Sequence, residues 1–371
     1  MAETSFGRDG RDVFFNYTPA AGAPSRRERG RGSVRTVIAT ALALLLLFFL
    51  VPMVLFSVPG GEGQEEAPLP TATLPIDRTV TTPGAGTDGA VLIRVQDADG
   101  RISSLTMADY LWRVVAAEMP ASFETEALKA QAVTARTYTL YQMSIGADPA
   151  HPDADMCTDP GCCQAYIEPE DAAANWGDQA PAYTAKIAQA VSSTGGQAVL
   201  YDGAPIDAVF FSSAAGRTLD AVEVWGGSVP YLASVESPEG DEVPGYRSTV
   251  EVPLDEFRDL FLAQHPEADL SGPAEGWFQD LVPSSSGGVD TVEVGGVAVT
   301  GAALRSLLGL RSATFTVAVQ GEALVFSVTG YGHGVGMSQY GANAMAREGA
   351  TYLDILTHYY TGVTVAPYVP G

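Results

Sequence analysis

The hydrophobic pattern along the chain changes character three times. Residues 1–36 show no periodic apolar face and are rich in Gly, Arg, Ser and Pro, the composition of a disordered tail. From Val37 to Val58 (VIATALALLLLFFLVPMVLFSV) the chain is uncharged and almost wholly apolar. As a helix that run is about 33 Å long, enough for a hydrocarbon core of ~30 Å, and a membrane helix tolerates the kink expected at Pro52. Residues 59–88 are dominated by Pro, Thr, Gly and Ala and read as a partly extended linker. From 89 to 371 the spacing becomes that of folded elements, with no internal repeat.

Within 89–371, AVLIRVQD alternates as a strand and DADGR as a turn. A helix begins at Thr106, whose hydroxyl and Asp109 make a variant capping box; Tyr110, Val114 and Glu118 share one face, and Pro120 ends it. Ser122 is the expected cap of a second helix that runs to about Met143, with Leu128, Ala132, Ala135 and Thr139 as its packing stripe and Lys129 and Arg136 two turns apart on another face. A loop rich in Cys and Asp follows, then a helix over about 180–194 and strands in GQAVLYDG and PIDAVFFSSAAGRT. A helix over about 253–264, strands in TVEVGGVAVT, ATFTVAV and ALVFSVTG, a glycine-rich turn leading into the helix SQYGANAMARE, and a last helix capped by Thr351 and Asp354 complete the chain. Helices and strands mix without regular βαβ alternation, which predicts a single α+β domain with a substrate cleft.

Charge sets the orientation. The net charge is −24, yet residues 1–36 hold seven Arg against four acids, while PGGEGQEEAP just beyond Val58 is acidic. The positive-inside rule places the N-terminus in the cytoplasm and everything after Val58 outside, on a retained single-pass anchor; the apolar run is longer than a signal-peptide core, and no A-x-A site follows it. So acidic a body excludes nucleic acid as a partner.

Three stretches carry a resemblance: Tyr110–Leu140 (YLWRVVAAEMPASFETEALKAQAVTARTYTL), Phe210–Val235 (FFSSAAGRTLDAVEVWGGSVPYLASV) and Gly330–Val365 (GYGHGVGMSQYGANAMAREGATYLDILTHYYTGVTV). In sequence, order and spacing they resemble the SpoIID/LytB family, that of stage II sporulation protein D and the amidase enhancer. The resemblance implies a peptidoglycan lytic transglycosylase that cleaves glycan strands between MurNAc and GlcNAc and works beside a cell-wall amidase. The alternative it leaves is a non-catalytic wall-binding enhancer of an N-acetylmuramoyl-L-alanine amidase. One departure stands out: Phe211 occupies a position where many members have His.

Glu118, in AAEMP, matches the family's catalytic Glu. Its helix face points it inward, where desolvation raises a carboxyl pKa into the range of a general acid, although a lone helix-end Glu is more often structural. Glu223 is the second carboxylate that a hydrolase would need. Lys129, Gln131 and Arg136 are candidates for binding the lactyl carboxylate of muramic acid, against the commoner role of a solvated helix face. Ser212 and Ser213 lie in a small-residue stretch that lets a sugar approach. The third stretch offers His333, Ser338, Gln339 and Tyr340 to the floor of the cleft, or else a tight turn with a satisfied His. His151, Cys157 and Cys163 form H-x5-C-x5-C, a set that suits structural zinc and that some family members use for it; Cys162 is extra, no fourth ligand is identifiable, and a local disulfide is the alternative. No cofactor is expected for catalysis.

Overall fold

The computed structural model describes residues 88–370; the expected tail, the apolar run Val37–Val58 and all of the linker but Asp88 lie outside them. Among the described residues no helix is long and apolar enough to cross a membrane.

Strands β1 (Leu92–Gln96) and β2 (Ile102–Thr106) form an antiparallel hairpin that buries Ile93 and Val95. Helix α1 (Met107–Glu118) starts as its sequence predicts: the Thr106 hydroxyl accepts the Asp109 N–H and donates to the Asp109 carboxylate at 2.8 Å. Its end is equally local, because Met119 is extended ahead of Pro120. Helix α2 (Thr125–Ile145) begins later than a Ser122 cap would place it. Glu124 holds the cap position without a side-chain cap bond, and its N–H donates instead to Asn343 Oδ1 at 2.8 Å, a partner 219 positions away.

The expected stripe on α2 understates its burial. Every residue from Ala130 to Leu140 is buried, so the helix is the axle of the main core rather than one of its walls. Small Ala and Thr side chains let neighbours pack on every side. Around it lie β3 (Met156–Cys157, parallel to β1), α3 (Pro169–Trp176), α4 (Ala180–Ser193), and the sheet whose members include β4 (Gln197–Tyr201) and β5 (Ala204–Pro205).

The strand expected over PIDAVFFSSAAGRT shrinks to β6 (Phe210–Phe211), followed by the short helix α5 (Ala221–Trp225). A second core forms around Phe257, Phe261, Trp277 and Phe326. It is built from β7 (Arg247–Pro253), α6 (Leu254–Gln264), β8 (Phe278–Pro283), β9 (Val289–Val294), β10 (Val297–Thr300), α7 (Gly301–Leu308), β11 (Phe315–Gln320) and β12 (Ala323–Thr329), in sheets of order β11-β12-β7 and β10-β9-β8. The chain then returns to the main core through β13 (Met337–Ser338), α8 (Gln339–Arg347), α9 (Tyr352–Tyr359) and β14 (Thr364–Pro367), which pairs antiparallel with β4. The architecture is the mixed α+β one expected, with its apolar side chains gathered into two cores.

The second and third resemblance stretches meet at β6. Phe210 and Phe211 pair in parallel with Met337 and Ser338, and Ser213 bridges Tyr331. The approach explains part of the glycine pattern: Gly332 has φ +119°, and a Cβ there would fall 2.6 Å from that of Phe211.

Candidate functional site

Glu118 closes α1 with its side chain inside the protein, only 8% exposed, above the buried Tyr110 and Val114 of the same face. Its Oε1 accepts the Ala165 N–H at 2.7 Å, and its carbonyl accepts Gln339 Nε2 at 2.9 Å. Oε2 has no hydrogen-bond partner among the described residues. Desolvation pushes the carboxyl up to about 7, against the opposing hydrogen bonds of Ala165 and Gln339. A group so placed is protonated in a large fraction of molecules at neutral pH and keeps one oxygen free.

Other buried amides share the α1–α2 region. Gln131 is fully buried, and neither its Oε1 nor its Nε2 has a partner among the described residues. Gln164 Oε1 accepts the Tyr110 hydroxyl at 3.3 Å and the Thr139 hydroxyl at 3.4 Å, while its Nε2 stays unpartnered. Unmet polar atoms in a buried site are costly unless something complements them.

The expected cationic face is not present. Arg136 is 1% exposed; it forms a 2.7 Å ion pair with Asp88 and donates to the carbonyls of Val191 and Gln197. Lys129 pairs with Glu126 at 2.7 Å and lies over the Tyr352 ring. The spacing makes Lys129 and Arg136 candidates for one lactyl carboxylate; full burial of α2 around Arg136 leaves that side chain tying the helix to Asp88 instead.

The third stretch divides in two. Gln339 reaches Glu118, whereas His333 does not serve as an open cleft residue. Its Nε2–H donates to the Phe210 carbonyl at 2.9 Å and its Nδ1 accepts the Val335 N–H at 3.2 Å, between the rings of Phe211 and Trp225. Burial holds its pKa down at about 4, so it is a neutral turn residue. Phe211, standing where the resemblance expects His, fills the core with 0% exposure. Tyr340 is half-buried against Phe123, Ser213 is buried, and the Ser212 carbonyl accepts the Tyr340 N–H.

Ser338 caps α8 by accepting the Gly341 N–H, and it donates to a carboxylate that sequence reasoning missed, Glu239. Glu239 is 4% exposed and also accepts the Ala214 N–H at 2.6 Å and the Ser237 hydroxyl at 2.5 Å. It thus fastens the second stretch to the third. A SPEGDE run reads as a solvated turn, and nothing local marks its middle Glu as buried. Glu223 takes the opposite course from Glu118: burial raises its pKa, but hydrogen bonding, first of all from the Ser285 hydroxyl at 2.8 Å, outweighs burial and holds it below the usual value.

His151, Cys157 and Cys163 do come together, and Cys162 joins them; the four donor atoms lie within 4.8 Å of one another. All three cysteines are free of disulfides. Hydrogen bonds from Cys157 and Cys163 favour the Cys162 thiolate, while the bond with Cys162 raises Cys157 and those with Cys157 and then Cys162 raise Cys163. Three sulfurs and an imidazole fit zinc.

A buried acid at a helix end, raised by desolvation and with one oxygen unpartnered among the described residues, defines an α+β protein with one general-acid candidate. Residues 96–201, which include Glu118 and all four donors, match the family model of the stage II sporulation protein, SpoIID. The chain is 33% identical over 336 residues to stage II sporulation protein D of Bacillus subtilis (strain 168), covering 88% of this chain and 94% of that protein. It is 32% identical to the Bacillus amyloliquefaciens protein of the same name over 90% of this chain and 96% of that one. Similarity to the amidase enhancer of Bacillus subtilis is 29% over 69% of this chain and 40% of the enhancer. The chain belongs to the SpoIID/LytB family.

Proposed function

We propose that the protein acts on the cell wall as a peptidoglycan lytic transglycosylase, with Glu118 as both acid and base. The observation that carries the reading is the Glu118 carboxyl itself, buried, raised to about 7 and left with one free oxygen. Protonated Glu118 donates to the oxygen bridging MurNAc C1 and GlcNAc C4; the C1–O bond breaks as positive charge develops at C1. The C6 hydroxyl of the same MurNAc attacks C1 and gives its proton to the Glu118 carboxylate. A 1,6-anhydro ring closes, the acid is regenerated and no water is consumed. One carboxyl suffices.

A metal held by His151, Cys157, Cys162 and Cys163 would supply folding energy to the loop beside Glu118 rather than chemistry. The apolar run Val37–Val58 with its upstream arginines would hold the domain on the outer face of the membrane, in reach of glycan strands. A second reading, a non-catalytic enhancer of a wall amidase, is favoured by the name of one relative and by the burial of Glu118. Glycan strands stripped of stem peptides, incubated with the purified full-length chain, separate the two: release of 1,6-anhydro-MurNAc ends supports the enzyme. Absence of cleavage, together with stimulation of an amidase, supports the enhancer.

A further inference from the structure

A muramoyl strand carries carboxylates, and the two cations of α2 are committed elsewhere: Arg136 to Asp88 and Lys129 to Glu126. The second core supplies a cation that is not. Arg311 stands between α7 and β11, in a loop whose backbone is tied down. Its carbonyl accepts the Gly332 N–H at 2.8 Å and Arg305 Nε at 3.3 Å, and the next residue, Ser312, donates its hydroxyl to the Thr329 carbonyl at 2.6 Å. The guanidinium lies over the Tyr331 ring, with Cζ 4.2 Å from the ring centre. Gly245 closes another side: its φ is +69°, and a Cβ there would fall 2.5 Å from Arg311 Nη1. An arginine that only meets solvent needs no such seat.

What the seat leaves open is the hydrogen-bonding edge. Arg94, Arg113 and Arg247 sit on carboxylates. Arg311 makes no ion pair, and its guanidinium has no hydrogen-bond acceptor among the described residues. Donors fixed in a planar fork match a carboxylate. Behind Tyr331, burial brings Arg305 down to about 10, so it is still charged at neutral pH and adds to the positive potential.

The seat is joined to Glu118 by a continuous series of neighbours. Tyr331 pairs with Ser213, which is 2% exposed and whose Oγ has no partner among the described residues. The carbonyl of the preceding Ser212 accepts the Tyr340 N–H at 3.0 Å. Burial raises the Tyr340 hydroxyl above its ordinary value, and Arg311 is near enough to oppose that rise. Gln339, the residue before Tyr340, donates to the Glu118 carbonyl.

We propose that Arg311, seated on Tyr331, binds a carboxylate of a muramoyl unit in the strand presented to Glu118. The proposal rests on the reading of the protein as one that binds peptidoglycan strands, and it gives Arg311 no part in proton transfer. The carboxylate is that of the lactyl group where the stem peptide has been removed, or one on the stem peptide where it remains.

The test measures equilibrium binding of the full-length chain carrying Glu118→Gln, which cannot complete the reaction, to soluble glycan strands. The strands are used with and without stem peptides, each either native or with its carboxyls amidated by methylamine. Adding Arg311→Gln should weaken binding to native strands roughly 10-fold or more, the size of one hydrogen bond to a charged group, and should make binding indifferent to amidation. Amidation should weaken binding by the Arg311-containing protein to the same extent. Arg311→Lys, which keeps the charge without the planar fork, should recover part of the affinity. Dependence on Arg311 with stripped strands alone assigns the lactyl carboxylate; dependence with peptide-bearing strands alone assigns a stem-peptide carboxylate. Equal binding of native and amidated strands by the Arg311-containing protein overturns the proposal, even where Arg311→Gln fails to fold. A loss in Arg311→Gln that is the same for native and amidated strands overturns it too, because that loss is structural. Cleavage by the protein with Glu118 intact separates this proposal from the reading beneath it. Cleavage that Arg311→Gln leaves unchanged on native strands removes the carboxylate site and keeps Glu118 as the acid. Carboxylate-dependent binding through Arg311 without any cleavage keeps the site and removes the transglycosylase.

Discussion

The carboxyl groups of Glu118 and Glu223 are pushed in opposite directions by the fold. Glu118 is enclosed, receives one backbone N–H and rises to about 7; Glu223, part-buried in the middle of α5, accepts the Ser285 hydroxyl and falls below its ordinary value. In the proposed reaction, environments that separate two carboxyls in this way make the first the better proton donor.

Activity should follow that assignment. Because the proposed reaction starts from protonated Glu118, kcat/KM should decline about tenfold per pH unit above about 7. Glu118→Gln keeps the size and the Ala165 hydrogen bond but cannot carry the proton, and cleavage should fall by roughly 10²–10⁴ or more. Glu223→Gln should be much milder. Assays of anhydro-end release from peptide-free strands, run from pH 5 to 9, check both. Equal loss in the Glu223 variant, with a reducing end derived from water, would replace the single-carboxyl mechanism by a two-carboxyl hydrolase.

Stability should report the same group independently. The folded value near 7 stands above the ordinary 4.5. The folded state therefore binds the proton more tightly, so this stabilisation is complete below about 4.5 and is lost as pH rises through about 7. Its full size is about 3 kcal/mol as an upper bound. The wild type minus Glu118→Gln difference in urea unfolding free energy should fall with pH across that window. A flat difference would mean that the carboxyl is solvated.

Arg136 should matter to folding rather than to ligand binding. Asp88→Asn or Arg136→Met leaves one buried partner of the ion pair uncompensated, a loss of about 3–5 kcal/mol. Chemical denaturation should show it. Glycan binding by the folded fraction of Asp88→Asn should be unchanged; a selective loss of binding with normal stability would restore Arg136 to the substrate site.

Gly341 should resist alanine despite its place in α8. Alanine normally favours a helix by up to ~1 kcal/mol over glycine. Here an added Cβ would run into the Tyr359 hydroxyl, Ser237 Oγ and Glu239 Oε2. The sign should reverse, with Gly341→Ala costing about 1–3 kcal/mol through overpacking. Thermal unfolding of the variant tests the reversal.

Local rules were legible in the sequence because they depend on neighbours a few residues apart. The Thr106 and Thr351 caps, the breaks at Pro120 and Gly349, and the alternation in 289–329 all act over one turn or one hairpin. The gathering of His151, Cys157 and Cys163 was readable for the same reason, and Glu118 could be placed on an inward face from its helical spacing. Tertiary structure decided what depends on partners far along the chain. Arg136 became a buried tie because Asp88 and the carbonyls of Val191 and Gln197 converge on it. His333 became a neutral turn residue because Phe210 approaches from more than a hundred positions away. Glu239 was buried by Ala214, Ser237 and Ser338, and Cys162 found its place only when the Asp159 turn folded it beside its neighbours. Periodicity tells which side of an element is apolar; whether a polar group there meets water or another chain segment is fixed only when the segments pack.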